Sequence, residues 1–180
     1  QGGVSAPSLV ASCSDPSVIG APFIVLDLVK GVVLRSQAGA LALDEADRYQ
    51  AGMDLAEALV VLHELDVEAV GLSHLRRPGA YLERQLRRWQ RQWEATATDV
   101  EALGDVFDWL VVAMPAQQAT SLVHGDPKLD NCVLGPGGRL AVLLDWELAA
   151  VGDPLADLAM LLAYWAEPGD ERYALQHPPT

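Results

Sequence analysis

A polar loop set between apolar runs constrains the fold of this chain more than any other feature. Residues 122–131 read L-V-H-G-D-P-K-L-D-N, and residues 142–147 read V-L-L-D-W-E. The apolar runs at 119–123, 131–134 and 139–144 are predicted as short strands, and the G-P-G-G turn at 135–138 joins the last two into a hairpin. This hairpin is expected to bring Asn131, where one strand starts, beside Asp145, where its partner ends.

The residue types in this loop suit phosphoryl transfer. The spacing H-x-D-x4-N, followed by an Asp at a strand end, matches the needs of a kinase: one carboxylate orients the attacking hydroxyl, while an Asn and a second Asp hold magnesium. An ordinary turn is the alternative, because Asp, Asn, Gly and Pro are the common turn residues. Asp145, a second acid at the end of an apolar strand, is followed by Asp153 and Asp157. This pattern favours a functional site over a chance match.

Three sequence blocks resemble a known family. Residues 122–131, 142–147 and 152–158 are similar to the aminoglycoside phosphotransferase-like family of small-molecule kinases, in particular to the branch related to the kinase-like domain fused to some acyl-CoA dehydrogenases. That branch typically reads H-G-D-(F/Y)-R-L-D-N, L-D-W-E and G-D-P-L-A-D, and the one departure is Lys128 in place of Arg. The resemblance implies an α+β, protein-kinase-like fold: mainly the helical C-terminal lobe, with a catalytic β-hairpin and a remnant of the N-lobe sheet.

The resemblance also implies roles for the loop residues. Asp126 would be the catalytic base, or the group that orients the acceptor hydroxyl, and Lys128 would neutralise charge on the transferred phosphoryl group. His124 belongs to the same catalytic set, with bracing of the loop favoured over proton transfer. Asn131 and Asp145 would bind magnesium, so the implied cofactors are ATP and Mg²⁺.

Three further acids follow the loop. Asp157 is expected to be a buried acceptor for backbone N–H groups of the loop, because a buried carboxylate has to be hydrogen-bonded. Asp153 precedes Pro154 and is predicted to cap the last helix, which would run to about Trp165. Glu147 stays open between contact with a second metal or substrate and a solvated strand end.

The N-terminal residues predict part of a nucleotide site. Residues 8–13 and 22–29 are predicted as strands, the second leading into a hinge. By resemblance, the Asp27 carbonyl and the Val29 N–H would pair with adenine, and Val133 would form part of the floor. The expected organisation is residues 1–30 as the last N-lobe strands and hinge, and residues 31–180 as a helical C-lobe with the catalytic loop at 124–131 and the metal-binding strand end at 145–147.

A glycine-rich phosphate loop and a strand lysine paired with a helix glutamate are not found in the sequence. Lys30 and Lys128 are its only lysines, and neither has that context. The chain is therefore interpreted as a fragment that lacks most of the N-lobe, and it is expected to be inactive by itself.

The remaining segments predict helices. Residues 44–65 are interpreted as a core helix through Tyr49, Met53, Ala56, Val60 and His63, with His63 as a packed, hydrogen-bonded core histidine. Residues 99–114 form a further amphipathic pattern, with Asp99 as N-cap. Residues 80–96 carry a basic stripe, which is either a solvated face or an anion-binding wall: Arg84, Arg87, Arg88 and Arg91.

Composition limits the partners. The net charge of −13 argues against a nucleic-acid partner. No apolar run approaches the roughly 20 residues that span a bilayer, so we expect a soluble, cytoplasmic chain without a membrane partner. Cys13 and Cys132 are too few for a zinc site or a disulfide framework, and Cys132 is predicted as a small buried residue.

The function predicted from these features is ATP-dependent phosphorylation of a hydroxyl group on a small molecule. For the acceptor, the hypothesis is a hydroxylated metabolite bearing a carboxyl or acyl group. Two alternatives stay open. One is a catalytically inert fragment or pseudokinase-like binding module. The other is a metal-dependent hydrolase using His124, Asp126 and Asp145.

Overall fold

The computed structural model describes residues 3–96 and 101–165, which form an α+β arrangement of five α-helices and six short β-strands. In chain order these are β1 (Leu9–Cys13), β2 (Phe23–Leu26), α1 (Gln37–Leu41), α2 (Glu45–His63), α3 (Tyr81–Thr96), α4 (Glu101–Ala113), β3 (Ser121–Val123), β4 (Cys132–Leu134), β5 (Leu140–Leu143), β6 (Ala150–Gly152) and α5 (Pro154–Tyr164). In this part of the chain, the strands pair as three separate two-stranded antiparallel sheets: β1–β2, β3–β6 and β4–β5.

The N-terminal hairpin confirms the two predicted strands, although β2 ends at Leu26 rather than at residue 29. Beyond β2, the chain runs onto β4. Val32 and Leu134 exchange two backbone hydrogen bonds of 2.8 Å each. A Cβ at Gly31 would lie 2.5 Å from the Leu134 carbonyl oxygen and from Val133 Cγ1. The absence of a side chain at Gly31 therefore lets the segment after β2 lie directly on β4.

The predicted β-hairpin is confirmed as β4 and β5, in which Cys132 pairs with Leu143. A second pairing, of β3 with β6, was not predicted from the sequence; it joins Leu122 to Val151. The two sheets hold the loop after β3 between them, and they fix where each strand delivers its polar residues.

The core lies between α2, these strands and α5. α2 contributes Ala51, Leu55, Leu59 and Leu62, all buried. They pack in one cluster with buried residues of the strands and of α5: Leu122, Cys132, Leu134, Leu143, Val151 and Leu161. The prediction that Cys132 is a small buried residue is confirmed.

The predicted core face of α2 was wrong. Tyr49, Met53 and Val60 are 70%, 41% and 56% exposed, and the buried face is the neighbouring one. Apolar residues occur on both faces of this helix, so helical spacing alone did not decide which face is buried. Contact with the strands decides it.

α2 is also fixed to the catalytic hairpin by polar contacts. Asp54 is buried, and its Oδ2 accepts a 2.9 Å hydrogen bond from the Leu140 N–H and lies 3.0 Å from Arg139 Nε. At the hairpin turn, Gly138 has a φ of 66°, and a Cβ there would overlap the backbone of Asp47. The turn of the hairpin therefore lies against the backbone of α2.

The helical elements around the loop agree with the sequence. Asp153 caps α5, as predicted, by accepting from the Leu155 N–H at 3.0 Å, and Pro154 is the first helical residue. Trp165 follows α5 and covers Gly52 of α2. The predicted N-cap Asp99 lies outside the described residues. In the described ranges, helices that are both long and apolar enough to cross a bilayer do not occur.

Candidate functional site

His124 fixes the start of the polar loop. It is fully buried, and its Nε2 lies 2.8 Å from the Leu144 carbonyl, to which it donates. Its Nδ1 accepts from the Asp126 N–H at 3.2 Å, which assigns the neutral tautomer with the proton on Nε2. Burial lowers the pKa of His124, against the opposing effects of the Leu144 bond and the nearby acids. Because both ring nitrogens bond to the backbone, His124 joins the loop to the end of β5.

Asp157 holds the same loop from the side of α5. Its carboxylate accepts from the backbone N–H groups of His124 and Gly125, each at 2.8 Å. The Nε2 atom of His63, on α2, lies 2.9 Å from the same carboxylate. Asp157 is buried. One carboxylate therefore connects α2, α5 and the loop, and these are the backbone contacts that the sequence analysis predicted for it.

Asp126, Lys128 and Asn131 form one polar cluster. The Asn131 side-chain amide donates to the Asp126 carbonyl at 2.9 Å and to Asp126 Oδ2 at 3.1 Å. Lys128 Nζ lies 3.1 Å from the same Oδ2 and 3.8 Å from Asp130 Oδ2. Burial opposes the charge on Lys128, but the hydrogen bond to Asp126 and the charge of Asp130 outweigh it, so the pKa of Lys128 is raised.

Asp145 lies at the adjoining strand end. The preceding residue, Leu144, donates its N–H to the Asn131 carbonyl at 2.8 Å, so the two chain segments meet as predicted. Among the described residues, Asp145 is the one non-glycine with a positive φ, at 65°. Its side chain is exposed, as is that of Glu147. The Asn131 amide nitrogen points to Asp126 rather than to Asp145.

A left-handed backbone at an Asp is a local strain, since only Gly adopts it freely and Asn or Asp tolerate it. Such strain persists where the surrounding structure enforces it. Here the bond from Leu144 to Asn131 on one side and the 3₁₀ turn Trp146–Leu148 on the other enforce it. No sequence pattern predicted this backbone conformation, although the L-D-W-E block marked the residue.

The segment after β2, which carries two of the residues proposed for adenine, contacts β4. Asp27 directly follows β2 and donates its N–H to the Ser8 carbonyl at 2.9 Å. The segment that carries Asp27 and Val29 continues onto β4, where Val133 is buried and touches the position of Gly31. Val133 is two residues from Asn131 in sequence, and β4, which the segment after β2 contacts, begins directly after Asn131.

A cavity of about 230 Å³ lies beside the loop, between α3, α4 and α5. Gly125, Leu148 and Asp157 form its wall on the loop side. Its other lining residues are mainly apolar, with Arg88 as the basic one: Tyr81, Leu82, Gln85, Leu86, Arg88, Trp89, Leu110, Met114, Pro115, Ala156 and Met160. This cavity was not predicted, because it is formed by helices that are distant in sequence.

The basic stripe of α3 is not a single surface. Arg88 lines the 230 Å³ cavity. Arg87 lies 3.5 Å from Glu83 in an exposed ion pair. Arg84 turns the other way, toward Arg76 and Arg77. Arg87 is therefore a solvated member of the stripe, and the anion-binding wall stays a prediction for Arg84 and Arg88, which line cavities.

Comparison with known proteins identifies relatives across almost the whole chain. The profile of the phosphotransferase enzyme family matches residues 1–177. Acyl-CoA dehydrogenase family member 10 of Mus musculus is 34% identical over 166 residues, which is 91% of this chain and 15% of that protein. Family member 11 of Gallus gallus is 36% identical over 169 residues, 92% of this chain and 22% of that protein. The chain thus spans less than a quarter of the length of these relatives.

Solved structures show the same fold. A provisionally named aminoglycoside phosphotransferase from Ralstonia eutropha JMP134 superposes with a TM-score of 0.79 at 34% identity, covering 94% of this chain and 53% of that one. A type VIII aminoglycoside-3'-phosphotransferase gives a TM-score of 0.66 at 21% identity, covering 98% and 63%. The ternary complex of APH(4)-Ia with ADP and hygromycin B gives 0.68 at 16% identity, covering 87% and 54%. These similarities confirm the predicted protein-kinase-like fold.

Proposed function

Because the chain belongs to the phosphotransferase enzyme family, we propose that it carries the catalytic loop of a kinase that phosphorylates a hydroxyl group of a small molecule, with ATP and Mg²⁺. The observation that supports this most is the cluster of Asp126, Lys128 and Asn131, in which an amide and an ammonium group hold one carboxylate oxygen. Phosphoryl transfer depends mainly on such positioning and on charge stabilisation.

Asp126 is the residue that orients the acceptor. Its Oδ2 is bonded to Asn131 and Lys128, which leaves Oδ1 without a partner among the described residues. A hydroxyl that donates to Oδ1 is fixed in direction and can release its proton there as the phosphoryl group arrives. Lys128 stays charged, because its pKa is raised, and its positive charge suits the phosphoryl oxygens. His124 supports the loop rather than transferring a proton.

The donor set fits magnesium. Mg²⁺ prefers oxygen ligands, keeps several waters, and takes the rest from one or two carboxylates and the substrate phosphates. The side-chain nitrogen of Asn131 donates to Asp126, so the side-chain oxygen of Asn131 remains for a cation. Asp145 adds an exposed carboxylate. The ion would supply neutralisation of the phosphate charge. Among the proteins of the same fold, APH(2")-IIa has been solved with streptomycin and ATP.

The nucleotide base is assigned to the hinge segment. Residues 1–30 form the last N-lobe strands and the hinge, and the Asp27 carbonyl with the Val29 N–H pairs with the adenine edge. Val133 supports the ring from β4. Residues 31–180 form the C-lobe, with the loop at 124–131 and the metal-binding strand end at 145–147. The pairing of Val32 with Leu134 supports this division, because it joins the hinge to the strand below it.

For the acceptor we favour a hydroxylated metabolite with a carboxyl or acyl group. The 230 Å³ cavity touches the loop at Gly125, is largely apolar and includes Arg88. An apolar lining suits an acyl chain, and a guanidinium suits a carboxylate. A screen of the full-length protein should therefore find transfer to hydroxy acids or their acyl derivatives. Transfer to aminoglycosides alone would contradict this choice.

The central experiment is Asp126→Asn in the full-length protein that contains this chain. Loss of a positioned base costs roughly 10²–10⁴ in rate, while nucleotide affinity should hardly change. Asp108→Asn is the control and should keep most activity, because Asp108 is an exposed acid of α4 that lies outside the loop. Turnover in Asp126→Asn within about threefold of wild type, well inside that range, would remove Asp126 from its role.

The same assay separates the alternatives. ATP turnover that requires a hydroxyl acceptor supports the kinase. Turnover that is independent of any acceptor favours a metal-dependent hydrolase, and saturable ATP binding without any turnover favours a binding module.

A further inference from the structure

A second cavity lies at the N-terminal end of α3, away from the proposed transfer loop. Its volume is about 140 Å³, and loop residues 76–79 and strand β6 form its sides. Three arginines line it, out of 12 basic residues in the whole chain. Its lining includes no carboxylate: Arg76, Arg77, Gly79, Tyr81, Arg84, Gln117, Thr120 and Val151.

The bonds of these arginines leave much of their charge unpaired. Arg84 donates to the carbonyl groups of Arg77 and Gly79, and its second terminal nitrogen lies 3.5 Å from the Val151 carbonyl. Arg77 donates to the His74 carbonyl at 2.8 Å. Arg76 alone has an acidic partner, Glu68, in an exposed pair. Within residues 3–96 and 101–165, the hydrogen bonds of Arg77 and Arg84 go only to backbone carbonyls, and the Arg84 guanidinium also lies 5.7 Å from the centre of the Tyr81 ring.

This arrangement is unusual for a chain with a net charge of −13. Acids outnumber bases by 25 to 12, yet two guanidinium groups share a cavity without a carboxylate. Like charges at close range repel one another, and the positive end of the α3 dipole adds to the same potential. A bound anion would remove this repulsion.

The volume of the cavity limits the size of the anion. Ligand pockets for whole drug-sized molecules occupy roughly 300–1,000 Å³, so a cavity of about 140 Å³ suits a charged group rather than a nucleotide. The planar guanidinium fork matches phosphate oxygens in a bidentate geometry. Thr120 adds a hydroxyl that can donate to a further oxygen.

We propose that this cavity binds the phosphate group of a small anionic metabolite. The site is separate from the transfer loop, because Asp126, Lys128 and Asn131 do not line it. It is connected to that loop through Val151, which pairs with Leu122 of β3, the strand that leads into His124. The proposal goes beyond the kinase function and does not depend on it.

The test is a titration of this chain with pyrophosphate at low ionic strength, followed by the backbone amide signals of Gly79, Thr120 and Val151. Saturable shifts at concentrations on the order of millimolar or below are expected. Arg77→Gln should weaken binding about tenfold or more, since it removes a charge-assisted contact. The matched control is Arg87→Gln on α3, because Arg87 is exposed, pairs with Glu83 and does not line the cavity.

Three results would overturn the proposal. The first is the absence of saturation, and the second is equal weakening by Arg87→Gln and Arg77→Gln, which would indicate a general surface charge effect. The third result concerns citrate: if citrate binds as tightly as pyrophosphate, the assignment of a phosphate group is contradicted. Arg84 is not replaced, because it also holds the loop carbonyls. The second variant is therefore Arg77→Lys, which retains the charge and should bind pyrophosphate more tightly than Arg77→Gln. Thermal unfolding without ligand establishes that each variant is folded.

Discussion

Asp157 is the residue whose loss should affect the loop most directly. Its two oxygens accept three hydrogen bonds, from His124, Gly125 and His63. In Asp157→Asn one oxygen becomes an amide group that cannot accept, so one buried backbone N–H loses its partner. A loss of about 1–3 kcal/mol in the free energy of unfolding is expected, measured by urea denaturation.

The control for this prediction is Asp108→Asn on α4. Asp108 is an exposed acid, and surface substitutions of this kind usually stay within about 0.5 kcal/mol. Equal destabilisation by the two changes would show that the three hydrogen bonds of Asp157 contribute little.

The role of Asp157 was accessible from the sequence, and that of its partner was not. A carboxylate in an apolar helix following the loop has to find donors, and the nearest orphan donors are the loop N–H groups. His63 is 94 residues away in the chain, so its spacing on α2 predicted burial but not the bond to Asp157. The contact of the Trp146 ring with His124, at 4.7 Å between centroids, was likewise unpredicted.

Replacing Asn131 or Asp145 should change how the activity depends on Mg²⁺ concentration. In the full-length protein, Asn131→Ala and Asp145→Ala each remove one proposed oxygen ligand, so a higher Mg²⁺ concentration should be needed for half-maximal activity. Glu57→Gln on α2 is the control, since Glu57 is exposed and lies outside the loop and the strand end at 145–147. Unchanged Mg²⁺ midpoints in both alanine variants would contradict the assignment.

Cys132 should make the stability of the chain depend on pH in the alkaline range. Burial, with a smaller effect from Asp130, raises the pKa of this thiol from 9.0 to about 12. The folded state therefore keeps the proton while the unfolded state loses it. The stabilisation is complete below pH 9 and is lost as the pH rises toward 12.

Cys132→Ala removes this titration and provides the comparison. The difference in unfolding free energy between wild type and Cys132→Ala should become smaller between pH about 8 and about 10. A constant difference would mean that the thiol titrates alike in both states.

At the scale of elements, the contact between the hairpin turn and α2 offers a matched pair of glycines. Gly137 and Gly138 both have positive φ values, of 70° and 66°. A Cβ at Gly137 would meet nothing within 4 Å, whereas one at Gly138 would overlap the Asp47 backbone. Gly137→Ala should therefore cost about 1–2 kcal/mol from backbone strain alone, and Gly138→Ala should cost more. Thermal unfolding of the two variants measures the difference, and equal losses would show that α2 yields at this contact.

Elements whose partners are near in sequence were predicted well, and those with distant partners were not. The β4–β5 hairpin and the cap of α5 follow from turn and cap residues within a few positions. The β3–β6 pairing and the buried face of α2 depend on packing between distant segments. The spacing of Tyr49, Met53 and Val60 predicted a helix correctly but did not identify the face that meets the strands.

At the scale of the whole molecule, we expect this chain alone to be a very slow kinase. The phosphates of ATP need a lysine and a loop of backbone N–H groups to hold them in line, and the described residues supply neither. The β1–β2 hairpin and the segment after it also have exposed apolar residues, among them Ile24 at 62% and Leu28 at 92%. ATP should consequently bind weakly to an open surface.

The measurement is phosphoryl transfer by the purified 180-residue chain, compared with the full-length protein. A rate in the range of typical kinases, about 1–100 s⁻¹, and abolished by Asp126→Asn, would refute this expectation. The polar cluster would then be sufficient for transfer.

Tyr81 belongs to both cavities, and its ring lies against Gly152, where a Cβ would be 2.6 Å from Tyr81 Cδ2. The two cavities therefore share the Tyr81 side chain, and any movement of its ring changes both of them. If an occupant of one cavity shifts this ring, thermodynamic linkage requires that the occupants influence each other by the same factor in both directions. A single aromatic side chain would then couple the affinities of the two cavities.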